Sequence, residues 1–199
     1  MTLQMNYSGL HTLISGGQTG ADQGGLLAAW RMGVKTGGQA PACYKIQGGH
    51  NPLLEILGLT AAGDFASRTR VNIKSSDGTV IIANDLNSPG MVLTRSSAKL
   101  FEKPFLQLEI SNLVRLSLLG PRNGTDQVLD EIMQLGHVLK DFIILHRIGT
   151  LNVAGNRELQ HTGTPYGTLV ITSIADWVVG LALDLLEIDD LLIFKKDLV

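Results

Sequence analysis

The stretch Ile14-Ser15-Gly16-Gly17-Gln18-Thr19-Gly20-Ala21-Asp22 decides the fold, because it joins a short apolar segment at 10–14 to a helix-like segment at 25–32. At such a turn, glycines let the backbone approach a ligand, and the following helix directs free N–H groups and the positive end of its dipole at an anion. Ser15, Gln18 and Thr19 add hydrogen-bonding side chains. The stretch therefore predicts a site for a phosphorylated, nucleotide-like ligand. The alternative is that the glycines only make room for the helix to pack on the sheet.

Two further polar turns follow predicted strands. The nearly continuous β-branched run Gly78–Asn84, typical of a strand buried in a parallel sheet, leads to Ser88-Pro89-Gly90, and an extended segment at 148–153 leads to the turn at 154–158. In an open parallel sheet such turns gather at the carboxyl edge, where ligands bind. The chain is therefore predicted to be an α/β protein in which three polar turns share one ligand.

The other segments complete a single predicted domain over residues 1–199. Helices are predicted at 91–100, from near Thr125 and from about Thr168, with a strand at 105–108. The glycine- and proline-rich segment 33–63 predicts a long loop beside the site, and 109–124 a less regular stretch with a turn at 121–124. Residues 1–9 are interpreted as a flexible leader. Residues 188–199 are interpreted as a tail, either an edge strand or frayed.

Composition excludes several classes of protein. The 199 residues are 44% hydrophobic and 17% charged, which indicates a globular chain with enough apolar surface to predict a homo-oligomer. A net charge of −2 argues against binding polymeric nucleic acid. The single cysteine, Cys43, and five histidines without metal-ligand spacing predict a cytoplasmic protein with no metal site. Asp176 and Asp184 interrupt the most apolar segment, so no membrane span is expected.

Several motifs carry a family resemblance. They are residues 14–22, Arg68-Thr69-Arg70-Val71-Asn72, Ser76-Asp77-Gly78-Thr79, Lys103-Pro104 and Leu151-Asn152-Val153-Ala154-Gly155-Asn156-Arg157-Glu158. Together these motifs resemble the molybdenum cofactor carrier family. That family belongs to a Rossmann-like group that includes the lysine-decarboxylase-like nucleotide phosphoribohydrolases and the SLOG nucleotide-sensing domains. The resemblance implies a Rossmann-like three-layer sandwich with a mostly parallel sheet, oligomeric assembly, and binding of the molybdenum cofactor or a nucleotide.

The resemblance also implies a set of binding residues. The anion cradle would be formed by Gly16, Gly17, Gln18, Thr19 and Gly20, with Asp22 nearby, Arg68 and Thr69 closing one side, Gly90 and Thr94 on a second loop, and Asn152, Gly155, Arg157 and Glu158 on a third. The second loop departs from the family pattern at Pro89, which has no N–H donor, and at Met91, which replaces a hydroxyl. A weaker loop, or a ligand of different shape, is therefore expected there.

Some of these residues have a structural alternative. Asp22 can accept a hydrogen bond from a ribose hydroxyl or simply stabilise the first turn of its helix. Arg68 is favoured over Arg70 as a phosphate ligand, and Arg157 is expected either to contact the ligand or to pair with Glu158. The loop residues Tyr44 and Tyr166 are candidates for stacking on the ligand, whereas Trp30 and Trp177 are expected to pack in the core or an interface.

The function predicted first is a binding protein that carries, senses or sequesters a phosphorylated nucleotide-like or pterin ligand, with no catalytic residue. A second hypothesis is a hydrolase of the phosphoribohydrolase type, with Glu158 as its acid or base. A third is an interaction protein whose ligand site has decayed. The cradle hypothesis predicts that Gly17→Val blocks binding while the protein stays folded, and that Arg157→Ala weakens anion binding.

Overall fold

A six-stranded parallel sheet forms the centre of the protein, with the strand order β5-β2-β1-β8-β6-β7. The computed structural model describes residues 9–118, 125–158 and 170–196, with side chains as far as residue 187. The strands are β1 (Thr12–Ser15), β2 (Lys35–Ala40), β5 (Leu59–Ala61), β6 (Gly78–Ala83), β7 (Phe105–Glu109) and β8 (Thr150–Gly155), and a small antiparallel ribbon is made of β3 (Lys45–Ile46) and β4 (Gly49–His50).

Helices flank this sheet in two groups, which gives the expected Rossmann-like α/β fold. They are α1 (Ala21–Arg31), α2 (Leu53–Ile56), α3 (Phe65–Ser75), α4 (Pro89–Leu100), α5 (Ser111–Leu118), α6 (Thr125–Leu145) and α7 (Val170–Lys196). Helix α7 packs against α1, α5 and α6, whereas α3 packs against α4. The predicted fold class is confirmed.

Close packing of α1 depends on its small residues. A side chain at Gly24 would lie 2.4 Å from the carbonyl oxygen of Thr172 in α7, and one at Gly25 would lie 2.8 Å from Val153 in β8. The two glycines therefore let α1 fit between α7 and the sheet, so part of the glycine-rich signal in this region is packing.

The predicted loop at 33–63 is wrong, because it contains β2 and β5 as well as the small ribbon. Strand β2 has the sequence KTGGQA, a poor strand pattern by composition. Gly38 is required by proximity to β1: it has φ of 116°, and a Cβ there would lie 2.3 Å from the carbonyl oxygen of Ser15. Contact between neighbouring strands thus overrides the local preference.

Three other predictions need correction, and two lie outside the described residues. The stretch at 109–124 contains helix α5, and α7 continues through most of the predicted tail to Lys196. Helix α4 begins at Pro89 rather than near Met91, since proline is tolerated in the first helical position, where its missing N–H has no partner to lose. The leader, up to residue 8, and the turn at 121–124 fall outside the described residues.

The surface away from the sheet retains exposed aromatic side chains. Trp30 in α1 and Trp177 in α7 are 64% and 49% exposed, so neither packs in the core of this chain. Self-association through such a surface stays a prediction. None of the described helices has a stretch long and apolar enough to cross a membrane.

A candidate ligand cavity at the carboxyl edge of the sheet

A cavity of about 660 Å³ lies where the carboxyl ends of β1, β8 and β6 meet. These strands are neighbours and in register, with Ser15 beside Val153 and Ile82 beside Gly155. The turns that follow all three strands reach the cavity, as do the first turns of α3 and α4. The sequence-based prediction that three polar turns come together is therefore confirmed.

The glycine-rich loop satisfies much of its own backbone. The N–H of Gln18 donates to Oδ2 of Asp22 at 3.1 Å, that of Gly20 to the hydroxyl of Thr172 at 3.2 Å, and that of Ala21 to the carbonyl of Asn156 at 3.1 Å. Those of Gln18 and Gly20 are two of the five loop amides, at 16–20, that a phosphate cradle would be expected to offer a ligand. In this fold the protein's own acceptors take them.

Individual loop residues have different surroundings. Gly16 and Gln18 line the cavity, whereas Gly17, Thr19 and Gly20 lie outside its lining. Gly17 has φ of 71°, and a side chain there would meet Leu54 at 2.8 Å and Leu59 at 2.9 Å. Gly17→Val is therefore expected to disturb packing around α2 and β5, not to block the cavity.

An ion pair occupies the floor of the cavity. Nη1 of Arg68, from α3, donates to Oδ2 of Asp22 at 3.1 Å, and the two side chains are only 12% and 6% exposed. The guanidinium lies directly over Gly16, where a Cβ would fall 0.9 Å from Nη1. Gly16 is thus needed for Arg68 to reach Asp22.

The burial of Asp22 affects its protonation. Desolvation raises the pKa of the Asp22 carboxyl above the ordinary value of 3.8, and the facing charges of Arg68 and Arg157, together with the Gln18 N–H, counteract the rise without cancelling it. Two buried polar atoms nearby, Nε of Arg68 and Oε1 of Gln18, have no hydrogen-bond partner in the described part of the chain. Buried polar atoms are almost always hydrogen-bonded, so each of these two needs an explanation, such as a bound water, ion or ligand.

The start of α4 forms the opposite wall. Asn156 ties it to the turn after β8, donating to the Ser88 hydroxyl at 2.9 Å and accepting from the N–H of Asp85 at 2.8 Å. Gly90 and Thr94 both line the cavity, although the Thr94 hydroxyl donates to the Gly90 carbonyl at 2.9 Å. Because Pro89 is the first helical residue, the departure from the family pattern leaves the following backbone donors of α4 in place.

Arg157 stands at the cavity with its charge unpaired among the described residues. Its Cζ lies 5.0 Å above the ring centroid of Phe65, the first residue of α3. No hydrogen bond or ion pair of its guanidinium occurs within residues 9–118, 125–158 and 170–187. Stacking on an aromatic ring holds a guanidinium in place while leaving its N–H edge available to an anion.

The remaining predicted site residues, Asn152, Thr69 and Gly155, all line the cavity. Asn152 and Thr69 line the cavity, where Asn152 donates to the Thr79 hydroxyl at 3.2 Å and Thr69 to the Phe65 carbonyl at 2.8 Å. Gly155 lies so close to β6 that a Cβ would be 1.9 Å from the Ile82 carbonyl oxygen, so its first requirement is packing.

Glu158 lies outside the cavity lining and caps helix α7. Its carboxylate accepts hydrogen bonds from the N–H of Ile171 and from both the N–H and the hydroxyl of Thr172, all between 2.9 and 3.0 Å. Negative charge at a helix N-terminus is stabilising in itself. The geometry therefore gives Glu158 a structural task at this position.

Other candidates lie away from the site. Arg70 is exposed, since it is two residues from Arg68 on a helix and faces another direction. Tyr44 donates to the Leu59 carbonyl at 3.3 Å and is outside the cavity lining, while Tyr166 falls outside the described residues. Within the described part of the chain, no group of His, Cys, Asp and Glu side chains could hold a metal ion.

The predicted set of binding residues left out several lining residues, namely Phe65, Asn72, Asn84, Asp85, Ser88 and Asn156. Of these, Ser88 and Asn156 lie in two of the predicted polar turns. The polar pair Asn84-Asp85 directly after a fully buried strand was the available signal for two of them. Phe65 had none, because its role depends on Arg157, which is distant in sequence.

Comparison with known proteins agrees with this fold. The model of a family described as the circularly permutated YpsA SLOG family matches residues 13–170. The chain also resembles the crystal structure of a protein from Syntrophus aciditrophicus assigned as a molybdenum carrier, with 27% identity, a TM-score of 0.68, and coverage of 87% of this chain and 95% of that one. A search of the curated proteins found no match.

Proposed function

The chain belongs to the circularly permutated YpsA SLOG family, and from that premise we propose that it is a binding protein for a phosphorylated nucleotide-like or pterin ligand, which it carries or sequesters. The observation that carries the proposal is the cavity at the carboxyl edge of the sheet, where Arg157 offers an unpaired guanidinium among the described residues. A cavity of about 660 Å³ suits one small ligand.

The chemistry of the lining fits such a ligand. Arginine N–H groups suit a phosphate, and the carboxylate and amide groups of Asp22, Asn84 and Asn152 suit the hydrogen-bonding edge of a purine or pterin ring. The structural relative is assigned as a molybdenum carrier, which favours a pterin that bears molybdenum as one possible cargo. In that case the metal would arrive with its pterin as cargo.

Binding is favoured over catalysis by what the cavity contains. Its described lining has no histidine, cysteine, lysine or glutamate. The hydroxyls of Ser88 and Thr94 donate to the backbone carbonyls of Asp85 and Gly90 instead of to a base. Hydrolysis through acyl or phosphoryl transfer to the protein would need a nucleophile next to a general base. The described lining of the cavity has no such pair.

The proposal is tested by isothermal titration calorimetry against a panel of purine mononucleotides, their dinucleotides and a pterin phosphate. Native mass spectrometry of the gently purified protein, followed by denaturation, identifies any ligand that copurifies. We expect at least one member of the panel to bind in a 1:1 ratio to the chain, and Arg157→Gln to weaken it. If no member binds and nothing copurifies, the proposal is wrong.

A further inference from the structure

We propose that the cavity orients its ligand, with the anion at Arg157 and a neutral hydrogen-bond donor at Asp22, so that the glycine-rich loop is not the anion site. This inference rests on the proposed function and defines the ligand more closely. It selects molecules that have an anion at one end and an N–H or O–H donor at the other, such as a nucleoside monophosphate or a pterin phosphate.

The first step is that the loop already holds an anion, the carboxylate of Asp22. Its Oδ2 accepts the Gln18 N–H at 3.1 Å and the Arg68 guanidinium at 3.1 Å. A phosphate placed in the loop would meet this carboxylate, which is 94% buried, in a poorly solvated setting. Two anions at close range in such a place repel strongly.

The second step is that Arg68 has no spare charge to offer. It forms a buried ion pair with Asp22, so the floor of the cavity is close to neutral. The four charged side chains in the described lining are Asp22, Arg68, Asp85 and Arg157. Of the two arginines, Arg157 is the one without a carboxylate partner among the described residues, and it is where an anion gains most.

The third step is that Asp22 keeps one acceptor available. Both hydrogen bonds to the carboxylate use Oδ2, which leaves Oδ1 without a hydrogen-bond partner from residues 9–118, 125–158 and 170–187. Asp22 lines the cavity, and the adjacent Gln18 Oε1 is a buried acceptor that also lacks a partner. The cavity floor therefore has two unfilled acceptors and one unfilled donor, Nε of Arg68, so it suits a neutral ligand group that brings donors together with an acceptor, such as the edge of a purine or pterin ring.

The fourth step concerns how Arg157 is positioned. Its stacking on Phe65 ties it to the start of α3, while Asn156, one residue earlier, is bonded to Ser88 at the start of α4. The guanidinium is thus held between the two helix starts, near enough to Asp22 for its charge to act on that carboxyl but without a hydrogen bond to it. Arg157 and Asp22 both line the cavity, so one ligand can place an anion at the first and a donor at the second.

The anion site is located first by titrating inorganic sulfate into ¹⁵N-labelled wild-type protein at constant ionic strength. The amide chemical shifts report where the sulfate binds. We expect saturable shifts at Arg157, Phe65 and Gly90 and only small shifts at 16–20. Saturable shifts centred on 16–20, or none in either place, would overturn the inference. This measurement needs no variant and does not depend on nucleotide binding.

The orientation is then tested by calorimetry with GMP and guanosine, whose base carries N–H donors. Arg157→Gln is expected to weaken GMP about tenfold and guanosine less than twofold. Asp22→Asn should weaken guanosine about tenfold, as for loss of a charged acceptor, and GMP by less, because Arg68 loses its ion-pair partner in this variant. Arg70→Gln, which changes an exposed arginine on the same helix as Arg68, serves as the charge control.

The opposite orientation gives an opposite result. If the phosphate lies in the loop and no donor of the ligand reaches Asp22, Asp22→Asn removes a repulsion, so GMP binds more tightly while guanosine affinity changes less than twofold, which would refute the inference. If the wild type binds sulfate as expected but no nucleotide or pterin, the inference about the anion holds and the proposed function is the part that is wrong. A further titration with 2′,3′-dideoxy-GMP distinguishes the two possible donors to Asp22. A loss of affinity relative to GMP identifies a ribose hydroxyl as the donor, and an unchanged affinity identifies the base.

Discussion

Replacing Gly16 by alanine should break the buried ion pair between Arg68 and Asp22, because the new methyl group would meet the Arg68 side chain and not the backbone. The new Cβ would lie 0.9 Å from Nη1 and 2.1 Å from Cζ of Arg68, so the guanidinium has to withdraw by about 2.5 Å to reach an ordinary contact of 3.4 Å. The bond to Asp22 is 3.1 Å long and cannot survive such a movement. Gly16 does not have a positive φ, so alanine itself fits the backbone.

The expected loss of stability in Gly16→Ala follows from the buried Asp22 carboxylate, which is left without its cation. Asp22 is left 4% exposed with its cation withdrawn, and breaking a buried pair in this way typically costs about 3–5 kcal/mol. Loss of the cation also raises the pKa of the Asp22 carboxyl further. Proton uptake by Asp22 then offsets part of the cost as the pH falls, so the variant should lose less stability at pH 5 than at pH 8.

Urea unfolding followed by circular dichroism at both pH values measures these differences. Gly90→Ala is the matched control, because a Cβ there meets nothing within 4 Å. The double variant Gly16→Ala/Asp22→Asn should recover much of the lost stability, since the uncompensated charge is gone. Equal stability of Gly16→Ala and wild type at pH 8, or no recovery in the double variant, would refute the reasoning.

Three further outcomes are expected. Glu158→Ala should lower the free energy of unfolding in urea by about 1–2 kcal/mol, because the N–H and hydroxyl of Thr172 in the first turn of α7 lose their acceptor. GMP affinity should stay within twofold of wild type. A large loss of affinity in a folded variant would show that Glu158 contacts the ligand. Gly20→Ala should yield little folded protein, since φ is 88° and the Cβ would lie 2.3 Å from the Asn156 carbonyl oxygen, whereas a soluble variant with native circular dichroism would contradict this. The folded-state pKa of Asp22 is raised, so the stability that its protonated form contributes is complete below the unfolded pKa of about 3.8 and is lost as the pH rises through the folded pKa. The free energy of unfolding of wild type should therefore fall relative to that of Asp22→Asn as the pH rises from 4. A difference between the two proteins that does not change with pH would show that the pKa is not raised.

The strongest parts of the fold were predictable because their sequences agree with their surroundings. The run at 78–83 is β-branched and buried throughout, and helix α6 repeats apolar residues at helical spacing. Strand β2 was not predictable, since its Gly37-Gly38 pair has low strand preference and Gly38 is required by the nearness of β1. Local pattern is informative where local and long-range requirements coincide.

The site was predictable in position and less so in detail. Polar turns after strands located the cavity, because parallel strands bring their carboxyl ends to one edge. The occupation of the loop by Asp22 depends on how the first turn of α1 places that carboxylate beside the Gln18 N–H, and the stacking of Arg157 on Phe65 joins residues far apart in the chain. Such pairings leave no periodic signal in the sequence.

The central position of β8 has a consequence for how the protein folds. Among the described strands, β5, β2 and β1 form one half of the sheet and β6 and β7 the other, and β8 pairs with both β1 and β6. Until residues 150–155 have left the ribosome, the two halves have no strand between them, and each exposes an unpaired edge prone to wrong association. Ligand binding would therefore appear only after this late strand is inserted, which makes it a direct readout of completed folding.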